Sequence, residues 1–178
     1  MRSTQPRRWA LAVLLVVLVG SSHAQKIETA ASSDYKLSEL KTFAFAPLEL
    51  HDPLTKNPAL AKQIRDEVVA GFRKIGLRQE DAHPDFLVAY TAGDSTYESS
   101  YSTGVSGGSS TSEVWSTTYH KQTVTLDFVD PRNQAPIWHG TATRTVAAGT
   151  MDKYVPKAVR KIGEAFHDEA EKHKKGKG

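Results

Sequence analysis

The sequence predicts an α+β domain over residues 34–171, in which a four-stranded mixed sheet carries two amphipathic helices on one face. Apolar residues recur at helical spacing in two segments, and they alternate along shorter segments of the chain. The chain has 178 residues, of which 39% are hydrophobic and 24% charged, and this suits one globular domain. The predicted order of elements is β-α-β-β-β-α.

The first 24 residues have the three regions of a signal peptide. Three arginines precede an apolar run over residues 9–19, which is too short to cross a bilayer as a helix. Ser22 and Ala24 are small residues at the two positions that a signal peptidase reads. We therefore expect export to the periplasm with cleavage after Ala24, and a mature chain without a transmembrane anchor.

The elements that follow the signal peptide are predicted from local patterns. Residues 25–33 show no periodicity, so we expect a flexible leader there. Alternating apolar residues over 41–46 predict a strand, and Asn57 with Pro58 is typical of the cap and first residue of a helix. Gly76 is typical of a helix end. The apolar stripe of this helix consists of Leu60, Ile64, Val68, Phe72 and Ile75.

The second half of the chain contains three predicted strands and a helix. Residues 85–91 are apolar on both faces, as in an inner strand. Residues 93–113 include 15 Ser, Gly or Thr residues and predict a mobile loop. Strands over 114–129 and 137–147 form an antiparallel hairpin, and the last helix begins near Asp152 as its N-cap. The apolar stripe of that helix consists of Val155, Val159, Ile162 and Phe166.

The register of the hairpin decides which side chains meet. We expect Trp138 in the core, together with the apolar stripe of the first helix. In that register the two strand histidines are not neighbours, and no histidines have the spacing of zinc ligands, so the sequence assigns no metal site and no cofactor. The expected pairs are Phe128 with Trp138, Asp127 with His139, and His120 with Val146.

One motif in the chain is typical of catalysis. Gly104-Val105-Ser106-Gly107-Gly108 matches the G-x-S-x-G elbow of serine hydrolases. That elbow needs a strand before the serine and a helix after it, whereas this serine lies inside the Ser- and Gly-rich segment. The sequence therefore assigns no catalytic residue, and we expect a protein that is not an enzyme.

Charge and cysteine content narrow the possible partners. Without the three signal arginines, 20 basic residues balance 20 acidic ones, so the excess of basic residues that nucleic-acid binding needs is missing. The chain has no Cys, which excludes disulfides and a lipid anchor on an N-terminal cysteine. The basic tail over 172–178, from Lys172 to Lys177, either complements the preceding helix dipole or makes weak contact with a membrane surface.

Three aromatic residues are the candidates for partner binding. Tyr97 and Tyr101 lie in the predicted loop, and Trp115 lies beside it. Such side chains could stack on a sugar or on another protein, although single exposed aromatic residues are also ordinary on protein surfaces. The expected partner is an unknown envelope protein or a glycan.

Five short motifs carry a family resemblance. They are Asp34-Tyr35, Lys41 to Phe45, Gly76-Leu77, Pro84 to Tyr90 and Ile137 to Gly140. On these motifs the chain resembles domain of unknown function 4136, a family of bacterial envelope proteins that are often lipoproteins. The resemblance covers about residues 34–166 and implies an α+β domain, without an established activity, catalytic residue or cofactor. It does not imply a lipid anchor here, because this chain has no Cys to acylate.

These observations favour one function and leave one alternative. The favoured function is that of a non-enzymatic periplasmic envelope protein, a binding or scaffolding domain for an unknown ligand. The alternative is an envelope hydrolase that acts on cell-wall or lipid material. A pocket lined by convergent polar residues would favour the hydrolase, whereas a flat surface with a protruding loop would favour the binding domain.

Overall fold

The computed structural model describes residues 25–47, 57–102 and 114–175. The expected signal peptide and the G-x-S-x-G motif lie outside these residues. The elements in chain order are β1 (Lys26–Ala31), a 3-10 helix (Leu37–Glu39), β2 (Thr42–Phe45), α1 (Pro58–Lys74), β3 (Arg78–Gln79), β4 (Phe86–Ser102), β5 (Val114–Val129), β6 (Pro136–Val146) and α2 (Met151–Lys175).

The strands form one sheet in the order β1-β6-β5-β4-β2-β3. β2 runs parallel to β3 and to β4, whereas the other neighbouring strands are antiparallel, so the sheet is mixed. The α+β class, the mixed sheet and the two helices are thereby confirmed. The prediction of four strands is wrong, because the sheet has six strands and the chain order is β-β-α-β-β-β-β-α.

β1 occupies the segment that the sequence predicted as a flexible leader, residues 25–33. It pairs with β6 from Lys26 opposite Thr143 to Ala31 opposite Trp138. Of its six side chains only Ile27 is half-buried, so the segment lacks the apolar alternation that predicts a strand. The other additional strand, β3, has two exposed residues and is too short to show a pattern.

β4 is longer than predicted, because it continues to Ser102. The prediction of a loop is therefore wrong for residues 93–102, which pair one by one with β5 as far as Ser102 opposite Val114. Beyond Ala92 this strand carries Ser, Thr, Gly and acidic side chains apart from Tyr97 and Tyr101, so it shows no apolar alternation although the backbone stays paired. Residues 103–113 of the predicted loop lie outside the described residues.

The hairpin of β5 and β6 is confirmed, including its register. Every expected pair is present, and a bulge follows Phe128 in β5. The turn between the strands closes with the backbone N–H of Asp130 donating to the carbonyl of Ala135, at 2.9 Å. Gln134 takes a positive φ of 57° in this turn. The observed pairs are Phe128 with Trp138, Asp127 with His139, and His120 with Val146.

Both helices cover the same face of the sheet, which we call the inner face. Phe72 of α1 and Phe166 of α2 both pack on Phe128 of β5, with ring centroids 5.6 and 5.0 Å apart. Trp138 is 2% exposed and its ring lies 5.3 Å from that of Phe166, so its predicted burial is confirmed. The stripe residues Ile64, Val68 and Phe72 are fully buried in the same core.

The ends of α1 follow the sequence signals closely. The side chain of Asn57 accepts a hydrogen bond from the N–H of Leu60 at 3.0 Å, and Pro58 is the first helical residue. Gly76 follows the helix with φ of 86°, a conformation that glycine adopts without strain.

α2 begins at Met151, two residues before the first helical position that an N-cap at Asp152 predicts, and it extends to Lys175. Asp152 is therefore in the first turn rather than at the N-cap. Pro156 lies deeper in the helix, where its missing N–H leaves the carbonyl of Asp152 without the usual partner. The side-chain amide of Gln63 on α1 donates to that carbonyl at 2.7 Å, which compensates for the proline. Lys172 and Lys174 of the predicted basic tail lie on the last turns of this helix.

Gly140 of β6 fixes how closely α2 approaches the sheet. A Cβ at this position would lie 2.3 Å from a Trp138 ring carbon and 2.7 Å from Cγ2 of Ile162. Ile162 is on the buried stripe of α2, so the glycine leaves the space that the tryptophan ring and the helix fill.

Candidate functional site

The face of the sheet opposite the helices, which we call the outer face, is polar. Along β5 and β6 its side chains are half-buried or exposed, and they alternate with buried residues of the inner face. The alternation follows from the two-residue period of a strand. Threonine is the commonest residue there, so hydroxyl groups dominate the surface. Central members of the outer face are Thr123, Thr125 and Asp127 on β5, and His139, Thr141 and Thr143 on β6.

A chain of hydrogen bonds crosses the outer face. The carboxylate of Asp127 accepts from Nδ1 of His139 at 2.6 Å, and Nε2 of the same ring lies 2.9 Å from Oγ1 of Thr141. Since an ionised carboxylate only accepts, Nδ1 carries the proton, and when the ring is neutral its Nε2 accepts from the Thr141 hydroxyl. Thr125 continues the chain, with its Oγ1 at 3.0 Å from that of Thr141.

This acid, base and hydroxyl have the relative placement of a Ser-His-Asp triad. Acyl transfer also needs free N–H donors that can stabilise an oxyanion. Thr141 pairs with Glu28 of β1 on one side and with Thr125 of β5 on the other, so its backbone groups belong to the sheet ladders. These three residues thus provide a base, His139, and an oriented hydroxyl, that of Thr141. The backbone of Thr141 does not provide a donor for an oxyanion.

Two clefts on the protein lie away from these hydrogen-bonded residues of the outer face. One, of about 320 Å³, is formed between α1 and α2 around Gly71, Pro156 and Gly163. The other, of about 490 Å³, lies between residues 82–85 and the turn at Pro131 and Arg132. Neither of these two clefts includes His139 or Thr141.

The turn that borders the larger cleft is stabilised by Asp130. Its carboxylate accepts from the guanidinium of Arg132 at 2.6 and 3.0 Å and from the hydroxyl of Tyr35 at 3.1 Å. Hydrogen bonds from the Arg132 side chain and backbone hold the pKa of Asp130 well below its usual range. Because both Arg132 and Asp130 are engaged with each other, this cluster maintains the turn.

The sheet narrows to two strands at the far end of β4 and β5. β6 ends at Val146, opposite His120, so residues 97–102 and 114–119 pair only with each other among the described residues. We call these two segments the arm. At its base Tyr97 and Tyr119 are opposite each other, and their rings stack with centroids 5.5 Å apart at 23°. Tyr97 is 49% exposed.

The structure places all three residues that the sequence proposes for partner binding on the arm, and it places Tyr119 beside one of them. Tyr97 is exposed on the arm. Tyr101 and Trp115 are opposite each other in the strand register, and their side chains lie outside the described part of the chain. Tyr119 was missed from the sequence because its relation to Tyr97 depends on the register of two strands, which a predicted loop could not have.

A buried polar cluster connects the base of the arm to the start of α2, and we call it the junction. At its centre Gln122 is fully buried. Its Nε2 donates to Asp94 at 3.1 Å and to the carbonyl of Gly149 at 3.1 Å, and its Oε1 accepts from Nε of Arg144 at 2.8 Å. Nδ1 of His120 lies 3.3 Å from Asp94, which adds the next residue of β5 on the same face.

Tyr154 of α2 forms the floor of the junction. The guanidinium of Arg144 lies 4.4 Å above its ring centroid. The side chain is 1% exposed, and burial raises the pKa of Tyr154 to about 12. The charge of Arg144 and the side chain of Gln25 beside the hydroxyl both oppose this rise in pKa.

The described residues show no grouping that indicates a metal or a membrane span. Within the described ranges, no three His, Cys, Asp or Glu side chains are placed to hold a metal ion. Neither of the two described helices has a stretch long and apolar enough to cross a bilayer.

Comparison with known families and structures gives one match over most of the chain. A family model described as Domain of unknown function (DUF4136) matches residues 27–166. No curated protein matches the chain.

Solved structures show more distant similarity. The chain is similar to a PDZ domain protein from Parabacteroides distasonis, with 18% identity and a TM-score of 0.55, over 78% of this chain and 35% of that one. It thus spans about a third of that protein, and this likeness shows the fold alone. A PelC dodecamer from Paraburkholderia phytofirmans has 14% identity and a TM-score of 0.48, covering 81% and 98% of the two chains. A minor lipoprotein from Acinetobacter baumannii has 11% identity and a TM-score of 0.36, covering 72% and 91%.

Proposed function

Because the chain belongs to the family of domain of unknown function 4136, we propose that it is a non-enzymatic periplasmic protein that binds or scaffolds an envelope partner. The three regions of a signal peptide at residues 1–24 support export with cleavage after Ala24. The absence of Cys supports a mature chain that carries no lipid anchor. The partner is proposed to bind at the arm.

The arm carries this proposal because, in the described part of the chain, no further strand pairs with either of its edges. Its described side chains are exposed, apart from the half-buried Tyr119. A two-stranded ribbon is at best marginally stable in water by itself, so a ribbon that extends beyond its sheet is well suited to be completed by a partner. Both edges of the arm offer N–H and C=O groups, because β6 ends at Val146 and β2 pairs with β4 only as far as Val88 among the described residues.

The composition of the arm favours a protein partner that adds a strand. Its two segments contain one acidic residue, Glu98, and neither Lys nor Arg, which argues against binding to phosphates. Free strand edges give affinity through main-chain hydrogen bonds, and the stacked pair of Tyr97 and Tyr119 offers an aromatic platform for a side chain of the partner.

Site-specific crosslinking in intact envelopes tests the proposal. A photo-reactive phenylalanine derivative at position 97 should form an adduct with another protein. The matched control places the same residue at Lys153, an exposed position on α2, where we expect no adduct. Equal adducts at both positions, or none at 97, would contradict partner binding at the arm. An adduct that resists proteases and stays with purified cell wall would indicate a glycan partner instead.

A second candidate, an envelope hydrolase, is favoured by the hydrogen-bonded chain of Asp127, His139 and Thr141. A hydrolase should release products from cell-wall material or from lipid esters, and Thr141→Val should abolish that release. The binding proposal expects no turnover above buffer from the purified protein, and the same variant should keep the crosslink at position 97.

A further inference from the structure

β1 is an edge strand of the sheet, and among the described residues its side that faces away from β6 has no partner strand. The N–H of Ser32 donates to the carbonyl of Ile137 at 2.9 Å. Since bonded and non-bonded pairs alternate along an antiparallel ladder, every second residue of β1, from Lys26 on, directs its backbone groups to β6. The residues between them direct their N–H and C=O groups away from β6, and we call these groups the free edge. They belong to Ile27, Thr29 and Ala31.

An unpaired strand edge is a template for another strand, and proteins usually protect it with charges, proline or a bulge. β1 contains no proline, and its register with β6 is regular from Lys26 to Ala31. Its only charged residues, Lys26 and Glu28, have opposite signs and form an ion pair at 2.6 Å on the outer face. Their side chains are 71% and 58% exposed. The charges of β1 thus cancel, and the strand does not repel a second copy of itself.

Ile27 lies between these two charged residues and points to the inner face. It is half-buried and packs against the core, so part of its side chain is in contact with solvent. Covering that part with another apolar side chain would be favourable. An opposite charge on each side and an apolar residue in the middle make this short segment complementary to an antiparallel copy of itself.

We propose that the free edge pairs with the free edge of a second copy of this chain, antiparallel and with the two-fold axis at Ile27. The two Ile27 residues then lie opposite each other and exchange backbone hydrogen bonds across the axis. Lys26 of each copy lies opposite Glu28 of the other, in a non-bonded pair, where side chains come closest. The two ion pairs within the chains remain and join into a ring of alternating charges on the outer face.

Backbone direction and charge select this register. Because the bonding residues of the free edge must face each other, the axis passes through a residue and not between two residues. An axis at Lys26 or Glu28 would place like charges opposite each other, which is destabilising. Glu28 is ionised at neutral pH, since the hydrogen bond from Lys26 and its charge lower the pKa of that carboxyl. An axis at Thr29 would place Glu28 opposite Ala30, without a charge pair between the copies. Only the axis at Ile27 brings opposite charges together.

Sedimentation velocity of the chain, expressed from its complete sequence and purified, tests the pairing. One strand edge covers less area than a standard interface, so we expect a weak dimer that forms in the micromolar range. Salt screens exposed charge pairs, and the dimer should therefore weaken as the salt concentration rises. A chain that stays monomeric at millimolar concentration and low salt would overturn the inference.

Charge reversal tests the register. Lys26→Glu and Glu28→Lys each turn both attractive pairs between copies into repulsive ones, and each should weaken the dimer by about tenfold or more. Both side chains are exposed, so thermal unfolding should show that each variant still folds. In a mixture the two variants should form mixed dimers in preference to either homodimer, and the double variant should dimerise as the native chain does. Single variants that dimerise like the native chain would overturn the axis at Ile27.

A proline at the free edge tests which surface forms the dimer. Thr29→Pro removes an N–H that points away from β6, so the ladder between β1 and β6 stays intact while a second strand is blocked. We expect a monomer whose thermal midpoint changes by only a few degrees. A dimer that survives this substitution would overturn the use of the free edge. The adduct at position 97 should be the same in this variant, because the inference does not depend on partner binding at the arm.

Discussion

The covered part of the sheet and the arm are built from the same two strands, but they are held by different forces. In residues 86–92 of β4, inner-face side chains lie beneath the helices opposite buried residues of β5. From Asp94 onward the same ladder continues, while the side chains become polar and exposed. Burial of apolar area stabilises the first region, whereas the second has only its backbone pairing and cross-strand contacts such as Tyr97 with Tyr119.

Truncating one aromatic residue in each region gives the largest contrast. Trp138→Ala removes a ring that packs against Phe128 and Phe166, and it should lower the free energy of unfolding by about 3–5 kcal/mol. Tyr97→Ala removes a half-exposed ring on the arm and should change the free energy of unfolding by less than about 1 kcal/mol. Urea titration measures both. Equal losses would show that the arm contributes to the core.

Replacing a glycine by alanine tests how tightly the surrounding atoms are packed, and two glycines of this chain should give opposite changes in stability. Gly140→Ala should cost about 1–3 kcal/mol, since its Cβ would lie 2.3 Å from a Trp138 ring carbon and the ring cannot move without disturbing α2. The matched control is Gly71→Ala in α1, where no atom lies within 4 Å of the new Cβ. That variant should gain about 0.5–1 kcal/mol from helix propensity. A neutral Gly140→Ala in thermal unfolding would contradict the close approach of α2.

The junction should affect both the stability of the covered sheet and the hydrogen exchange of the arm, because it lies at the boundary between them. Gln122→Ala leaves Asp94, Arg144 and the carbonyl of Gly149 without their shared partner, and it should cost about 1–3 kcal/mol. Amide hydrogen exchange of the arm should become faster in this variant, since the arm loses its connection to α2. Thr123→Ala, one residue away on the outer face, is the control. Exchange that is unchanged in the arm would show that the junction does not anchor it.

The covered region was predictable from the sequence because burial leaves a side-chain pattern. The stripe of α1, the burial of Trp138 and the hairpin register all follow from apolar spacing. Asp127 opposite His139 followed from that register, and the structure adds the hydrogen bond between them at 2.6 Å. The hydrogen bond to Thr141 was missed, although His139 and Thr141 are two residues apart on one strand and therefore share a face.

The arm and β1 could not be predicted in the same way. Their strands are specified by backbone pairing with a neighbour, and most of their described side chains are exposed. In β1 only Ile27 is half-buried, and it packs against the core. The burial of Gln122 was also not predicted. A polar residue at an inner-face position indicates that the apolar core ends there, unless its hydrogen-bond partners are known. Those partners come from β4, β6 and the start of α2, which are distant in sequence.

Shortening the arm should have the smallest effect on stability and the most specific effect on binding. Replacing residues 97–119 with Asn-Gly joins Thr96 to His120, which are already opposite each other, through a two-residue hairpin turn. The junction and the covered sheet stay intact, so the thermal midpoint should change by only a few degrees, roughly the effect of 1 kcal/mol. Since position 97 is then absent, partner capture is compared by a non-specific crosslinker on intact envelopes, and the shortened chain should lose the partner found with the full chain. A shortened chain that unfolds would show that the core depends on the arm, and one that keeps the partner would place the binding surface elsewhere.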